Sequence, residues 1–337
     1  MLAGCGVMSK AWLEAARRID GLAIVGLVDI DIARARSRAH EFGLDADAVA
    51  ASLDAMLDRR RADAVFDVVV PEARASVARA AFAHGCHLLS EKPLAAKLDE
   101  ARAIVAAARE AGVVHAVVQN RRYHPGVRRI ARLIRSGALG RPTSVHADFF
   151  LAPHFGGFRE EMQHVLLVDM AIHTFDAARA MTGLEAERVF CREWDPANSW
   201  YRQGSSAAAI FDMTGGAVFT YRGSWSADGA PTSWEAAWRI VCERGSLAWD
   251  GFDAIRAEVV DGEARDGLFG RTRPVEVPPL DSADRVGGHL GVMQDFLAAV
   301  KGGPPPETEA TDNLKSLAMV FGAVASAKAR RPVDIAA

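Results

Sequence analysis

The sequence has few cysteines and no long apolar run. Its four cysteines lie far apart, so no CxxC pair supports a zinc ribbon or a thioredoxin-type redox site: Cys5, Cys86, Cys191 and Cys242. No apolar stretch approaches the roughly 18 residues of a membrane span. We therefore expect a reduced, cytoplasmic protein with no membrane partner.

The chain also lacks an excess of either charge. Its formal net charge is −3, and only six of its 40 basic residues are lysines. A protein that binds nucleic acid presents a basic surface, so we expect no nucleic-acid partner. Apolar residues make up 50% of the chain and charged residues 25%, as in an ordinary globular protein. At about 150 residues per domain, 337 residues predict two domains.

Residues 1–120 alternate between strand and helix patterns. Short apolar runs at Leu22–Val28, Ala64–Val70, His87–Ser90 and Val113–Val118 are separated by segments with helical spacing. Strands that are apolar on both faces are typical of a parallel sheet covered by helices. The pattern predicts an α/β domain over residues 1–120.

The second part of the chain, residues 121–337, has a different texture. Longer alternating runs such as Ser144–Phe150, Ala207–Met213 and Ala217–Trp225 predict a large, mainly antiparallel, open sheet. Leu166–Met181 has helical spacing and is expected to cover one face. We expect an α+β domain whose last helix, residues 311–329, packs back on the first domain.

A glycine turn stands at the start of the chain. Gly4-Cys5-Gly6-Val7-Met8 follows a short apolar strand and opens a helix. Gly4 permits the tight turn, and Gly6 lets the backbone approach a pyrophosphate at the helix N-terminus. Because Met1 is only three residues before Gly4, we expect the first strand to be short or to begin before Met1. The turn predicts dinucleotide binding.

An acidic residue follows the second apolar run at the distance that such a site requires. Asp29 lies 23 residues after Gly6, where a carboxylate accepts hydrogen bonds from the adenosine ribose. Its charge repels a 2′-phosphate and favours NAD. Arg34 and Arg36 offset part of that charge, so NADP stays open.

Two further motifs contain groups suited to acid–base chemistry. Lys92 of Glu91-Lys92-Pro93 follows a strand, where it is expected to face the crevice and hydrogen-bond a substrate hydroxyl. Asp169 and His173 are four residues apart on a predicted helix, with Asp176 near the same face. A carboxylate beside an imidazole orients it as a proton acceptor. The pair lacks further ligands at a usable spacing, so we expect no metal.

Together these segments resemble the Gfo/Idh/MocA family of oxidoreductases, which includes glucose-fructose oxidoreductase and inositol dehydrogenase. The resemblance rests on Gly4-Cys5-Gly6, Asp29, Glu91-Lys92-Pro93 and the spacing of Asp169, His173 and Asp176. The segment Asn120–Pro125 is also similar to the family's N-x-R-x-x-P. One departure follows Pro71, since residues 72–76 contain no histidine where the family often has one.

The resemblance implies an N-terminal Rossmann domain, and it implies roles for particular residues. The implied catalytic residues are Lys92, Asp169 and His173. The implied cofactor-binding residues are Gly4, Gly6, Val7, Met8, Asp29, Pro71, Glu91, Lys92 and Asn120. The candidate substrate contacts are Arg122, Tyr123 and Asp176, together with Arg159, which lies in a glycine-rich, aromatic loop suited to covering a ligand. Residues 198–202 form a second polar and aromatic loop.

The expected activity is hydride transfer between NAD(P) and a hydroxyl or keto carbon of a sugar, inositol or related polyol. One alternative is an NADPH-dependent reductase of a keto-sugar or a dihydrodiol-type substrate. An alternative of another class is a non-catalytic sensor that binds a dinucleotide. Whether Lys92 or His173 transfers the proton stays open. The resemblance implies that the open sheet of the second domain forms the interface of a homodimer or homotetramer.

Overall fold

The computed structural model describes residues 1–336, which form two compact units. The first unit comprises Met1–Tyr123 and Arg285–Leu314, and the second comprises His124–Asp284 and the chain from Lys315 onward. The expected boundary at residue 120 lies three residues before the observed one. Residues 285–314 were expected in the second domain, whereas they group with the first unit.

The first unit contains a six-stranded parallel sheet. Its strands are β1 (Leu2–Ala3), β2 (Leu27–Val28), β3 (Val49–Ala50), β4 (Ala64–Asp67), β5 (His87–Ser90) and β6 (His115–Val117). Their order is β3-β2-β1-β4-β5-β6, with the first strand at the centre. The apolar run Leu22–Val28 forms a strand only at Leu27 and Val28, because its partner β1 offers two residues for pairing. The short β3 strand was not anticipated.

Five helices of the segment Met1–Tyr123 cover this sheet. They are α1 (Val7–Ala16), α2 (Ile32–Glu41), α3 (Leu53–Arg59), α4 (Arg74–Ala83) and α5 (Leu98–Glu110). The Asp31 side chain caps α2 by accepting from the backbone N–H groups of Ala33 and Arg34. Trp12 of α1 is fully buried and packs on Phe66 of β4. The α/β class predicted for this part of the chain is confirmed.

The second unit contains a nine-stranded sheet. Its strands are β7 (Pro142–Phe150), β8 (Ala186–Trp194), β9 (Ser206–Met213), β10 (Val218–Ser224), β11 (Ala237–Cys242), β12 (Gly245–Trp249), β13 (Ile255–Asp266), β14 (Phe269–Pro274) and β15 (Val333–Asp334). Their order is β14-β13-β12-β11-β7-β10-β9-β8-β15. Among the described strands of this sheet, only the pair β7–β10 is parallel. The predicted antiparallel sheet is confirmed; the β13–β14 hairpin and β15 were not anticipated.

Helices α6 (Pro125–Arg135), α7 (Phe158–Glu161) and α8 (Ile172–Thr182) belong to the second unit. Helix α9 (His289–Val300) belongs to the first, where His289 packs on Trp12 and Phe296 on Phe66. Helix α10 (Ala310–Ala329) starts in the first unit. From Lys315 onward it belongs to the second unit, where the Ser326 hydroxyl accepts a hydrogen bond from the backbone N–H of Cys191 at 2.9 Å.

Candidate active site

The glycine turn between β1 and α1 has the geometry that a nucleotide cradle needs. Gly4 has φ +95°, and a side chain there would come within 2.6 Å of the Val68 carbonyl carbon. A side chain on Gly6 would meet nothing within 4 Å, so this position faces open space. Val7 and Met8 form the first turn of α1, where Val7 is 90% exposed. Gly4 is therefore required by the fold, whereas Gly6 leaves room for a ligand.

A cavity of about 420 Å³ lies beside this turn, within the first unit. Its lining comes from the carboxyl ends of β1 to β4 and the segments that follow them, and includes Gly4, Gly6, Asp29, Ser52, Val69 and Ser76. Ligands of open α/β sheets bind at this edge. The size and position of the cavity fit the adenosine part of a dinucleotide.

Asp29 presents a fixed carboxylate at the edge of the cavity. It is 6% exposed, and its oxygens accept from the backbone N–H groups of Cys5 and Asp31, both at 2.8 Å. Arg34 lies 3.6 Å from Asp29 Oδ2 and 3.3 Å from Asp31. Each carboxylate oxygen has a second acceptor site. The arrangement thus fits two ribose hydroxyls.

The Glu91-Lys92-Pro93 turn follows β5, and its first residue is anchored internally. Glu91 Oε1 accepts from the Trp12 indole at 2.8 Å and lies 3.4 Å from His289 Nε2. Burial raises the pKa of the Glu91 carboxyl, but the contacts with His289 and Trp12 and the charge of Lys92 outweigh it, and the pKa is lowered. Glu91 therefore stays ionised and fixes the turn. The Lys92–Pro93 peptide bond is cis.

A buried ion pair that the sequence did not reveal lies behind this turn. Asp67 ends β4 with no exposed surface, and Arg74 begins α4 with 2% exposed. The Arg74 Nε atom lies 3.4 Å from Asp67 Oδ2, a charge contact without a formed hydrogen bond. Burial raises the pKa of Asp67 to about 6, although the Arg74 charge and the Val69 N–H oppose the shift.

Pro71 and Asn120 lie in short 3-10 turns at the carboxyl ends of strands. Pro71 starts the turn that leads into α4, beside the cavity-lining Val70 and Ala73. Asn120 starts the turn after β6, and its Oδ1 atom is buried without a hydrogen-bond partner among the described residues. Both positions are compatible with the cofactor contacts that the resemblance implies.

Arg122 and Tyr123, which end the turn that begins at Asn120, are held inside the first unit. Arg122 donates to the Glu307 carbonyl at 2.6 Å and to Asp312 at 2.5 Å. Tyr123 has no exposed surface, and its hydroxyl donates to Asp295 at 2.7 Å. This placement does not support Tyr123 as a substrate contact, because the ring packs in the core and the hydroxyl is already bonded.

In the second unit, the predicted helix Leu166–Met181 is not regular. Residues Leu166–Ala171 form a π-helix, and α8 continues from Ile172. In a π turn the backbone hydrogen bonds run from residue i to residue i+5, so Asp169 lies in a wider turn than the α-helix that the sequence predicted. Single π turns are frequent at functional sites. His173 is 9% exposed, on the first turn of α8.

Arg159 contacts the proposed catalytic carboxylate directly. Its Nε atom donates to Asp169 Oδ2 at 2.8 Å. Its guanidinium lies 5.0 Å from the ring centre of Phe155 and 4.9 Å from that of Phe158. The loop that the sequence predicted as a ligand cover thus reaches Asp169 through an arginine that contacts two aromatic rings.

Asp176 has a different environment from Asp169. It has no exposed surface, and Ser316 of α10 donates to its Oδ1 at 2.7 Å. Arg179, one turn later, lies 3.7 Å from the same oxygen. The buried network supports a structural role for Asp176 and does not support the expected substrate contact.

Aromatic side chains from two predicted loops meet beside Phe155. The His154 ring stacks on Trp200 at 3.6 Å, and Phe155 packs edge-on against Trp225 at 5.3 Å. Tyr201 packs on Trp225 at 5.7 Å, and burial raises the pKa of its hydroxyl to about 12. Aromatic faces of this kind pack against the C–H surfaces of sugars. Sequence reasoning found both loops but had no signal that they meet.

Within residues 1–336, no group of three or more His, Cys, Asp or Glu side chains is arranged to hold a metal ion. None of the helices described has the length and apolarity to cross a membrane. Sequence reasoning missed Trp12, Asp67, Arg74 and His289. Only distant contacts reveal them, since His289 is 198 residues from Glu91.

Two family models match this chain. One, described as an oxidoreductase family with an NAD-binding Rossmann fold, matches residues 1–119. The other, described as a GFO/IDH/MocA C-terminal domain, matches residues 127–248. The chain belongs to the Gfo/Idh/MocA oxidoreductase family. The family membership and the NAD-binding Rossmann domain inferred from the motifs are therefore confirmed.

Relatives of similar length match nearly the whole chain. A D-apiose dehydrogenase from Paraburkholderia graminis is 28% identical, covering 99% of this chain and 88% of that protein. The uncharacterized protein y4oX from Sinorhizobium fredii is 27% identical, covering 98% and 94%. An oxidoreductase from Agrobacterium radiobacter, solved with NAD+, L-tartaric acid and magnesium, has a TM-score of 0.85 at 23% identity, covering 99% and 97%. The last comparison establishes the fold alone.

Proposed function

We propose that this family member is an NAD-dependent dehydrogenase of a sugar, inositol or related polyol, acting on a CH–OH group. NAD, when bound, accepts or returns the hydride. The observation that carries the proposal is the shared edge of the first unit's sheet. There the Gly4–Gly6 turn follows β1, the Asp29 carboxylate follows β2 and the Lys92 turn follows β5. Strands β1 and β2 are neighbours, and β4 lies between β1 and β5.

In the proposed mechanism, Lys92, Asp169 and His173 serve the substrate hydroxyl. The Lys92 ammonium donates a hydrogen bond to the oxygen and stabilises the developing alkoxide. His173 takes the hydroxyl proton during oxidation and returns it during reduction. Asp169, held by Arg159 at 2.8 Å, orients the substrate. These three roles are carried over from the family motif residue by residue.

The cofactor preference follows from the charge at the ribose position. Asp29 is fixed by two backbone N–H groups, so it cannot swing away from a 2′-phosphate. Arg34 is already close to Asp29 and Asp31, which reduces the positive charge it offers. We therefore propose NAD in preference to NADP.

The substrate class follows from the surroundings of Asp169. His154, Phe155 and Trp200 present exposed or partly exposed aromatic rings, and Arg159 adds hydrogen-bond donors. A polyol offers C–H faces and hydroxyls that match this combination. The names of relatives agree, since they include D-apiose dehydrogenase and inositol 2-dehydrogenase.

The first experiment is calorimetric titration with NAD+, NADH, NADP+ and NADPH, followed by a turnover screen of polyols, aldoses and inositols. We expect micromolar binding of the NAD pair and turnover of at least one member of the screen. Lys92→Ala should keep NADH affinity within about threefold while turnover falls about 100-fold or more, as expected for loss of a group that stabilises a developing charge. The exposed Lys97→Ala is the matched control.

Three other results would favour an alternative function or remove the proposed catalytic residues. Preference for the NADP pair would favour the keto-sugar or dihydrodiol reductase instead. Dinucleotide binding with no turnover of any substrate would favour the non-catalytic sensor. Full activity of both Lys92→Ala and His173→Ala variants would remove the proposed catalytic group.

We also propose that the protein acts in the cytoplasm. All four cysteines are free thiols and all four are buried, as expected in a reducing compartment. Fractionation of cells that express the native protein tests this, and recovery outside the cytoplasm would contradict it.

A further inference from the structure

Arg74 is a buried cation whose hydrogen bonds go to the backbone. It is 2% exposed at the start of α4. One guanidinium nitrogen donates to the carbonyl oxygens of both Glu91 and Pro93, which flank Lys92. The other terminal nitrogen donates to the Val69 carbonyl at 2.8 Å. A single side chain therefore joins the segment after β4 to the turn after β5.

The counter-charge of Arg74 is the carboxylate of Asp67, which ends β4. Asp67, fully buried, lies 3.4 Å from Arg74 Nε, and its Oδ1 accepts from the Val69 N–H at 3.2 Å. The Asp67 carbonyl accepts from the Glu91 N–H at 2.8 Å. The pair thus contacts both sides of one junction between β4 and β5.

The junction between β4 and β5 connects two parts of the candidate site, the cavity beside the glycine turn and the turn that contains Lys92. Val69 lines the cavity beside the glycine turn. Lys92 lies between the two carbonyls that Arg74 bonds. We propose that Arg74, with Asp67 as its counter-ion, is a positioning residue that holds the Lys92 turn in register with the cofactor-binding edge of the sheet. The proposal rests on the proposed function for the meaning of that register.

The chemistry of the side chain explains why an arginine suits this position. A guanidinium is planar and presents five N–H donors in a fixed fork, so it can bond three carbonyls in different directions and still face a carboxylate. A lysine ammonium has three donors at one point and cannot span the same acceptors. The extra bonds fix backbone atoms, whose displacement moves Lys92.

A spectroscopic test follows from the scarcity of lysine. Reductive methylation with 13C-formaldehyde labels the six lysines, and the Lys92 signal is assigned by its loss in Lys92→Arg. We expect Arg74→Lys and Arg74→Gln to shift and broaden the Lys92 signal and to leave the signals of Lys301 and Lys328 unchanged. This readout needs neither cofactor nor substrate, so it separates failure of this inference from failure of the proposed function.

A kinetic test uses the same variants. We expect kcat to fall about 10-fold in Arg74→Lys and about 100-fold in Arg74→Gln, since a displacement of about 1 Å can cost 100-fold. We expect KM to change less than threefold. Arg79→Gln, an exposed substitution on the same helix, is the matched control and should leave every readout unchanged.

Folding is controlled by a second variant. Because Arg74→Gln leaves the buried Asp67 without a counter-charge, Asp67→Asn/Arg74→Gln removes both charges and should recover most of the melting temperature. We expect that folded double variant to keep the altered Lys92 signal and the low kcat. An unshifted Lys92 signal, or wild-type kcat in the folded double variant, would overturn the proposal and leave the pair with a role in stability only.

Discussion

At the scale of single residues, burial decides the behaviour of the titratable groups. His115 is buried in the first unit, and its Nε2 atom lies 3.1 Å from the Ser90 hydroxyl. Burial, assisted by the charge of Arg74, lowers the pKa of His115 to about 3. The ring therefore stays neutral in the folded protein at pH values where an unfolded chain protonates it.

This difference predicts an acid-sensitive stability. Between pH 6.5 and 3 the unfolded state binds more protons, so the free energy of unfolding falls as the pH falls, by about 4 kcal/mol at the lower limit. His115→Gln removes this loss and should become more stable relative to the wild type as the pH falls through that window. Urea unfolding at stepped pH values measures it.

Asp67 and the exposed His40 test whether His115 causes this pH dependence of stability. Asp67 has the opposite sign, because its raised pKa of about 6 gives stability at low pH that is lost as the pH rises through 6. The wild-type curve alone therefore understates the histidine effect between pH 4 and 6. The exposed His40→Gln is the control, and the same pH trend in that variant would contradict the role of His115.

At the scale of elements, the β1–α1 turn separates the needs of folding from those of binding. Gly4 has a positive φ and close contact with the Val68 carbonyl, whereas Gly6 has φ −65° and open space. Gly4→Ala should cost about 1–3 kcal/mol of stability from backbone strain alone, with more from the clash. Gly6→Ala should fold normally and bind NADH at least about tenfold more weakly, because its methyl group obstructs the backbone.

Thermal unfolding and NADH titration of both variants measure this contrast. Unchanged NADH affinity in Gly6→Ala would place the pyrophosphate elsewhere. A stable Gly4→Ala protein would show that the turn tolerates a different backbone conformation.

At the scale of the whole molecule, the open face of the nine-stranded sheet points to self-association. Phe190, Trp194 and Ile210 lie on the face of β8 and β9 away from the core, with exposures of 38%, 47% and 51%. Apolar side chains grouped on one face mark association surfaces. We expect a homodimer or homotetramer by light scattering and a shift toward monomer in Ile210→Glu.

The control for this prediction is Ile30→Glu, an exposed apolar position of the first unit. A monomeric wild type, or an Ile210→Glu variant with unchanged mass, would remove this face as the interface.

The sequence by itself determined the features that depend on neighbouring residues. The Gly4–Gly6 turn, Asp29 after its strand and the Glu91-Lys92-Pro93 turn after His87–Ser90 are local patterns, and the α/β class follows from periodicity. Helix and strand types were predictable for the same reason, since burial on one face imposes a repeat along the chain.

Only the tertiary structure decided which distant groups meet. His289 reaches Glu91 across 198 residues, Arg74 bonds the carbonyls on both sides of Lys92, and Ser316 fixes Asp176 in the interior. The return of residues 285–314 to the first unit has the same origin. Such contacts depend on how packed elements bring side chains together, and neither periodicity nor local spacing records that.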